Sequence, residues 1–187
     1  MTDQVKTTGE NNLPGDLSKE EMIELIIRVD HAGEFGAQRI YEGQIAVLGN
    51  TEDGPLLRHM LDQEMEHLHT FEDLMNERHV RPTILSPIWH VAGFALGAGT
   101  ALLGREAAMA CTEAIEETID EHYAHQSEQL GEDEADLKAK IDQFRAEEQE
   151  HRDIARENDA KQAPGYELLT GAIKAGSKAA IWLSSRI

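Results

Sequence analysis

The chain has 187 residues, with 36 acidic and 17 basic side chains and a formal net charge of −19. A surface this acidic repels phosphate backbones, which excludes a nucleic-acid partner. The single cysteine, Cys111, excludes a disulfide framework, a cysteine-rich zinc site and a Cys-x-x-Cys redox pair. Nine histidines among many carboxylates are instead the ligand types of iron, manganese and zinc sites.

The N-terminal residues 1–18 are polar and contain neither an apolar signal segment nor an arginine-rich transit pattern. They are predicted to form a disordered tail in front of one helical domain at 19–187. The absence of a signal pattern and the single cysteine together indicate a reducing, cytoplasmic setting.

Apolar residues recur at helical spacing along most of the remaining chain, and no segment alternates convincingly with the period of a strand. Ser18 and Glu21 form a capping-box pattern, which places the start of the first helix near Lys19. The predicted helices cover residues 19–48, 55–78, 102–130, 134–159 and 166–184. The fold class is therefore all-α, most simply a four-helix bundle with additional helices.

Residues 82–104 contain no Asp, Glu, Lys or Arg. Prolines are expected to break the first part of this segment, which leaves 91–104 as a helix about 21 Å long at ~1.5 Å per residue. That is shorter than the roughly 30 Å hydrocarbon core of a bilayer, and Trp89 stands at its edge as interfacial tryptophans do. We expect an interfacial or half-inserted segment. The alternative is a buried core helix in which Gly93 and Gly97 permit close packing.

Two Glu-x-x-His motifs carry the chemistry, Glu64 with His67 and Glu148 with His151. Residues i and i+3 share a helix face, so each motif presents a carboxylate and an imidazole together. In both helices the motif stands on the apolar stripe that the helix buries. Burying four ionisable groups without compensation costs several kcal/mol. A pair of divalent metal ions would supply the compensating charge.

A dimetal bundle takes one further glutamate from each of the other two helices. Glu34 stands on the apolar stripe of the first helix. In the third predicted helix Glu116 shares a mostly apolar stripe, whereas Glu113 and Glu117 share stripes with other acidic residues and are expected to be solvated. The two glutamates of each helix pair are then 30 and 32 residues apart, which indicates two copies of one ligand-bearing hairpin.

Five segments have a distinctive sequence: RVDHAGE at 28–34, RPT at 81–83, GFALGAGT at 93–100, AMACT at 108–112 and EEQEH at 147–151. They closely resemble the Coq7 family, the demethoxyubiquinone hydroxylases of ubiquinone biosynthesis, within the ferritin-like di-iron carboxylate proteins. The resemblance covers about residues 23–187. It implies a ferritin-like bundle with additional membrane-associated helices.

The resemblance implies a di-iron monooxygenase that uses O2 to hydroxylate the ring of a demethoxyubiquinone or demethoxyubiquinol precursor. It implies that two glutamates bridge the two irons and that a glutamate and a histidine complete each one. The bridging pair is Glu64 and Glu148, one iron adds Glu34 and His67, and the other adds Glu116 and His151. Ligand types alone do not distinguish iron from manganese.

The resemblance also suggests NADH as an electron donor. Lys178 and Arg186 would lie near its phosphates, with Trp182 between them as a stacking surface. His122 and Tyr123 would relay electrons or protons to the irons, and simple packing beside a polar core is their alternative. For the basic residues, contact with anionic lipid headgroups and plain solvation are the alternatives.

Three further residues could hydrogen-bond a ligand histidine from outside the metal site. They are Asp30, one turn before a ligand, and Gln63 and Glu147, each directly before a ligand glutamate.

The membrane-associating segment at 80–104 and the basic helix at 166–187 predict a peripheral protein on the cytoplasmic face of the cell membrane. Its expected partners are a polyprenyl quinone, the membrane surface, and other ubiquinone-biosynthesis proteins or a second copy of the chain. One alternative is a ferritin-like iron-storage or peroxide-scavenging protein, which needs the six ligands but not the apolar segment. A non-catalytic helical scaffold is a further alternative, but it leaves the inward carboxylates unexplained.

Overall fold

The computed structural model describes residues 17–187, so most of the predicted tail at 1–18 lies outside the described residues. The described part is built from helices and contains no strand, which confirms the all-α prediction. Its six α-helices are α1 Lys19–Leu48, α2 Gly54–Arg78, α3 Ser86–Leu103, α4 Arg105–Gln129, α5 Ala135–Glu157 and α6 Tyr166–Ser184. Helix α1 packs along α2, and α4 packs along α5. Helices α3 and α6 lie outside this bundle, α3 along α1 and α6 along α4.

The helix ends follow local signals. The Ser18 hydroxyl accepts from the Glu21 backbone N–H at 3.2 Å, and the Glu21 carboxylate accepts from the Ser18 N–H at 2.8 Å, which confirms the capping box. Helix α2 begins with a proline in its first turn, where no intrahelical N–H is needed. Its last residue, Arg78, is followed by His79, whose φ of 57° is left-handed.

The region around α3 differs from the prediction. The third predicted helix, 102–130, is wrong at its start, because Leu102 and Leu103 end α3 and Gly104 separates α3 from α4. Gly104 has a φ of 127°, a conformation that glycine adopts without strain. The prolines also do not break the segment as expected, since Pro87 lies in the first turn of α3. The helix therefore has 18 residues and is about 27 Å long at ~1.5 Å per residue.

One face of α3 packs very closely on α1. A Cβ added at Gly97 would lie 1.9 Å from the Ile40 carbonyl oxygen, and one at Gly93 would lie 2.9 Å from the Gly36 carbonyl oxygen. The opposite face is exposed, with Val91 at 66%. Close packing through glycines and an open apolar face therefore occur together on one helix. Within residues 17–187, α3 is the single helix that is long and apolar enough to cross a membrane by length and composition.

The chain end connects α6 to the start of α3. Trp89 donates its indole N–H to the Ser184 hydroxyl at 3.0 Å. Thr83 donates its hydroxyl to the Ile187 carbonyl at 2.6 Å. These contacts join α3 and α6 into one layer that covers α1 and α4. Trp89 and Ser184 also line the cavity described below.

Candidate metal centre

The four helices of the bundle bring the six predicted ligands together in its interior. The ligand atoms form two groups, each with all its atoms within 4.8 Å of one another: Glu34, Glu64, His67 and Glu148, and Glu64, Glu116, Glu148 and His151. Two glutamates, Glu64 and Glu148, belong to both groups. Every one of the six side chains is at most 1% exposed.

The hydrogen bonding leaves free the atoms that two metal ions would need. Both oxygens of Glu64 and of Glu148 are buried without a hydrogen-bond partner. So are one oxygen each of Glu34 and Glu116 and the Nδ1 atoms of the two histidines. Buried polar atoms are otherwise nearly always paired. These atoms divide into two sets of four when each shared glutamate gives one oxygen to each set. The residues therefore fit a pair of cations that carboxylates and imidazoles bind, such as iron or manganese.

A tyrosine holds the second oxygen of each unshared glutamate. Tyr41 donates its hydroxyl to Glu116 Oε1 at 2.8 Å, and Tyr123 donates its hydroxyl to Glu34 Oε1. Both rings are 1% exposed. Burial, together with the neighbouring carboxylates, raises the pKa of both phenols well above 10.0, so they remain donors. The sequence analysis missed the role of Tyr41, because this residue lies on the apolar stripe of α1 and was counted as one of its core residues.

The outer nitrogen of each histidine is also held. His67 Nε2 lies 2.6 Å from Glu147 Oε2, and His151 Nε2 lies 3.0 Å from Gln63 Oε1. These contacts confirm two of the three predicted partners. Asp30 instead accepts from the Gln126 amide at 2.7 Å. Each Nε2–H is thereby directed outward, which leaves Nδ1 facing the carboxylates.

The carboxylates and imidazoles shift one another's proton affinity. Burial lowers the pKa of His67, but the neighbouring Glu148 and Glu34 carboxylates prevail and raise it to about 12. Burial alone would raise the pKa of Glu148, yet the neighbouring His151 and His67 imidazoles lower it to about 2. Burial and the Glu148 charge raise the pKa of Glu64 and Glu116 well above the usual value. So many carboxylates ionise together only beside positive charge, as protons or as metal ions.

A cavity of about 370 Å³ lies beside this centre, between α1, α3, α4 and α6. Its walls are mostly glycines and aliphatic side chains such as Ile40, Leu96 and Ile115. Glu34 and Tyr123 belong to its lining, so the cavity reaches the candidate metal ligands. The arrangement can hold an apolar ring-sized molecule next to a metal pair.

The family model described as "Ubiquinone biosynthesis protein COQ7" matches residues 21–184. The chain belongs to the COQ7 family. Its relatives include the 3-demethoxyubiquinol 3-hydroxylase of Rhodospirillum rubrum, 60% identical over 97% of this chain and 86% of that protein. The mitochondrial NADPH-dependent 3-demethoxyubiquinone 3-hydroxylase of Dictyostelium discoideum is 57% identical over 90% of this chain and 79% of that protein. The protein of that name from Homo sapiens is 54% identical over 88% of this chain and 78% of that protein. The predicted family is thus confirmed.

In this COQ7 family member, His122 and Tyr123 lie in the cavity wall. His122 Nε2 lies 3.4 Å from Asp30 Oδ1 and 2.8 Å from the Gln126 amide nitrogen. Tyr123 contacts the candidate ligand Glu34 directly. The two residues therefore lie between the cavity and the Glu34 side of the metal centre.

Two of the residues predicted to hold NADH, Lys178 and Trp182, lie on α6, and the third, Arg186, follows the last residue of that helix. Lys178 Nζ lies 2.7 Å from Glu121 Oε2, so a carboxylate already pairs with it. The Arg186 guanidinium stacks 4.0 Å from the centre of the Trp182 ring, which was predicted to be a stacking surface for the electron donor. Lys174 also pairs, with Glu117 at 3.0 Å. The basic residues of α6 are thus partly neutralised by α4.

The expectation that Glu113 is solvated is wrong. Its side chain is buried, and it accepts from Arg156 Nε at 2.5 Å and from the Tyr166 hydroxyl at 2.8 Å. These partners come from α5 and α6, so Glu113 ties α6 to the bundle outside the metal centre. Glu117 is half-buried and pairs with Arg156 and Lys174.

Proposed function

We propose that this chain hydroxylates the ring of a demethoxyubiquinone-type precursor in ubiquinone biosynthesis, with O2 and a pair of iron ions. Relatives that are 60% and 57% identical over most of the chain carry names for this reaction. The observation that supports it most is the apolar cavity that ends at Glu34, beside a centre of six buried ligands. A metal pair and a ring-sized apolar cavity are what such a hydroxylation needs.

The six ligands would hold the irons as their free atoms indicate, with Glu64 and Glu148 shared between the two ions. Bound iron supplies the redox chemistry that activates O2 for insertion of one oxygen atom into the ring. Tyr41 and Tyr123 fix the orientation of the unshared glutamates through their hydroxyl bonds. Because these partners are buried and already bonded to the glutamates, the ligand geometry is largely set before a metal ion arrives.

The cavity would take the quinone ring at its polar end and the start of the isoprenoid tail along its aliphatic walls. Its volume of about 370 Å³ suits a ring with its substituents, while a longer tail would extend outward between α3 and α6. Apolar walls exclude water from the reacting ring, which strengthens every electrostatic contact inside the site.

Asp30 is the residue that would meet a ring hydroxyl. It lines the cavity, its Oδ1 accepts from Gln126, and its Oδ2 is buried without a partner. Burial raises the pKa of this carboxyl, while hydrogen bonds from His122 and Gln126 oppose the rise. Oδ2 can therefore accept a ring O–H and take up or return its proton.

Membrane association is part of the proposal. Exposed apolar side chains of α3 and α6 and of the segments beside them surround the cavity side of the molecule: Ile84, Ile88, Val91, Leu102, Leu103, Leu168, Trp182 and Ile187. Helix α3 lies along the part of α1 that carries Arg39 and Glu42, and Arg39 donates to the His90 carbonyl of α3. A spanning α3 would bring these charges into the hydrocarbon, so we favour a helix lying in the interface.

A peripheral position on the cytoplasmic face of a cell membrane would give this chain access to its substrate there. The eukaryotic relatives are named as mitochondrial proteins.

A nicotinamide cofactor is the proposed electron donor, and the names of two relatives specify NADPH. The proposed contacts are Lys178 and Trp182 on α6 and Arg186 just after it, with His122 and Tyr123 leading to the irons. The double variant Lys178→Ala, Arg186→Ala should lower turnover with the nicotinamide in detergent and leave turnover of chemically reduced protein unchanged. A loss of vesicle binding with unchanged detergent activity would assign these residues to lipid instead.

The decisive experiment loads anaerobically purified protein with Fe²⁺, adds a short-chain demethoxyubiquinol and admits ¹⁸O2. We expect a hydroxylated product that carries one ¹⁸O atom, and no product from the Glu64→Ala variant. Iron oxidation that accumulates a ferric mineral without any hydroxylated product would overturn the proposal and favour iron storage.

A further inference from the structure

The two halves of the metal centre match closely except at one position. In each half a tyrosine hydroxyl holds the unshared glutamate, and the histidine turns Nδ1 inward. In each half the outer Nε2 also meets the residue directly before the opposite helix's ligand glutamate. That residue is Glu147 for His67 and Gln63 for His151. One half therefore has a carboxylate where the other has a neutral amide.

This difference changes the histidines as ligands. An imidazole that donates its N–H to a carboxylate becomes a more basic and more electron-rich ligand than one that donates to an amide. The distances agree, at 2.6 Å for Glu147 and 3.0 Å for Gln63. Gln143 donates to the other Glu147 oxygen at 3.0 Å, which holds the carboxylate in this orientation.

We propose that Glu147 makes the two metal positions unequal, so that the position of His67 binds a divalent cation more tightly than the position of His151. Glu147 acts here as a positioning residue, because it reaches the metal only through the histidine. The inference rests on the two-metal centre proposed above and adds an order of filling to it.

The metal position that is expected to bind more tightly is also the one nearer the cavity. Glu34, the unshared glutamate of the His67 position, lines the cavity together with Tyr123. The better-supported histidine therefore belongs to the position nearest the cavity. A metal ion there stays bound while the other position exchanges more readily, which keeps the substrate-facing half of the site filled.

The test is an anaerobic titration of metal-free protein with Co²⁺, followed by calorimetry and by the visible Co²⁺ spectrum, with no turnover involved. The parent protein should bind two ions with unequal dissociation constants. Glu147→Gln keeps the shape and removes the charge, so it should weaken the tighter step about 10–100-fold and bring the two constants together. Gln63→Glu should tighten the weaker step instead.

Two further variants make the result specific. Glu150→Gln removes the same charge from an exposed position of the same helix and should leave both constants unchanged within about twofold. The double variant Gln63→Glu, Glu147→Gln exchanges the two partners and should restore unequal constants. Far-ultraviolet circular dichroism checks that each variant is folded.

The outcomes separate this inference from the proposed function. Two ions bound with equal constants by the parent protein, or unchanged constants in Glu147→Gln, would overturn the inequality and leave the two-metal centre standing. Failure of the parent protein to bind two ions would overturn the two-metal centre, and this inference with it.

Discussion

The contact between α1 and α3 makes Gly97→Ala a sharp test of the structure. A Cβ at this position would lie 1.9 Å from the Ile40 carbonyl oxygen and 2.7 Å from its carbonyl carbon. Ordinary contact begins at 3.4 Å, so α3 would have to retreat by about 1.5 Å, and overpacking of this kind costs about 1–3 kcal/mol. Both helices also line the cavity, so the retreat would widen it and admit water.

Gly99→Ala is the matched control, because its Cβ would meet nothing within 4 Å and the position is exposed. In a helix interior this control should gain up to about 1 kcal/mol from helix propensity. Gly97→Ala gains the same propensity, so we expect the free energies of unfolding of the two variants to differ by the overpacking cost, about 1–3 kcal/mol.

The assay is thermal unfolding followed by circular dichroism in one detergent, where each kcal/mol shifts Tm by roughly 2–4 °C for a chain of this size. Gly97→Ala should also lower kcat/KM, while Gly99→Ala should not. Equal Tm values for the two variants would refute the close approach of α3 to α1.

The remaining predictions concern the metal centre, the cavity and the outer face of α3. Glu148→Ala should abolish metal binding and hydroxylation, as measured by metal analysis and product formation, and should keep the helical dichroism. Because the pKa of His67 is raised to about 12, a metal ion must displace its proton. Metal affinity should therefore rise with pH up to about pH 12, and a titration between about pH 6 and about pH 8 should detect the released proton. Asp30→Asn should raise KM for the quinol about 10–100-fold, the loss of one hydrogen bond to a charged group, with metal content unchanged. Val91→Asp, on the exposed face of α3, should reduce vesicle binding but not detergent activity. Leu96→Asp, in the cavity wall, should reduce activity in detergent as well.

The sequence predicted which glutamates and histidines come together in the bundle interior, because their pattern is local. Glu64 with His67 and Glu148 with His151 share helix faces, and the apolar residues on each stripe show which face is inward. The two histidine partners also followed from local position, since each lies directly before a ligand. The residue types and their spacing within one helix were sufficient for these predictions.

Features that depend on how helices meet could not be predicted in this way. Glu113 seemed solvated on its own stripe, and its burial depends on Arg156 and Tyr166, which are more than forty positions away. Tyr41 carries a hydroxyl whose partner lies on α4. A proline such as Pro87 can interrupt a helix or stand in its first turn. Its sequence position alone did not show which of the two occurs here.

Helix α3 lines the cavity with one face and is exposed on the other, which links the proposed membrane association to the proposed hydroxylation. Its glycine face approaches α1 and forms one wall of the cavity, while its opposite face exposes side chains such as Val91. A helix lying in the membrane interface on that outer face would put the cavity wall directly behind the lipid boundary. A polyprenyl quinone could then move its ring from the bilayer into the cavity without crossing water, because the apolar tail stays in lipid while the ring reaches Asp30 and Glu34. The cost of extracting the whole molecule from the membrane, about 0.8 kcal/mol for each CH₂ exposed, is thereby avoided.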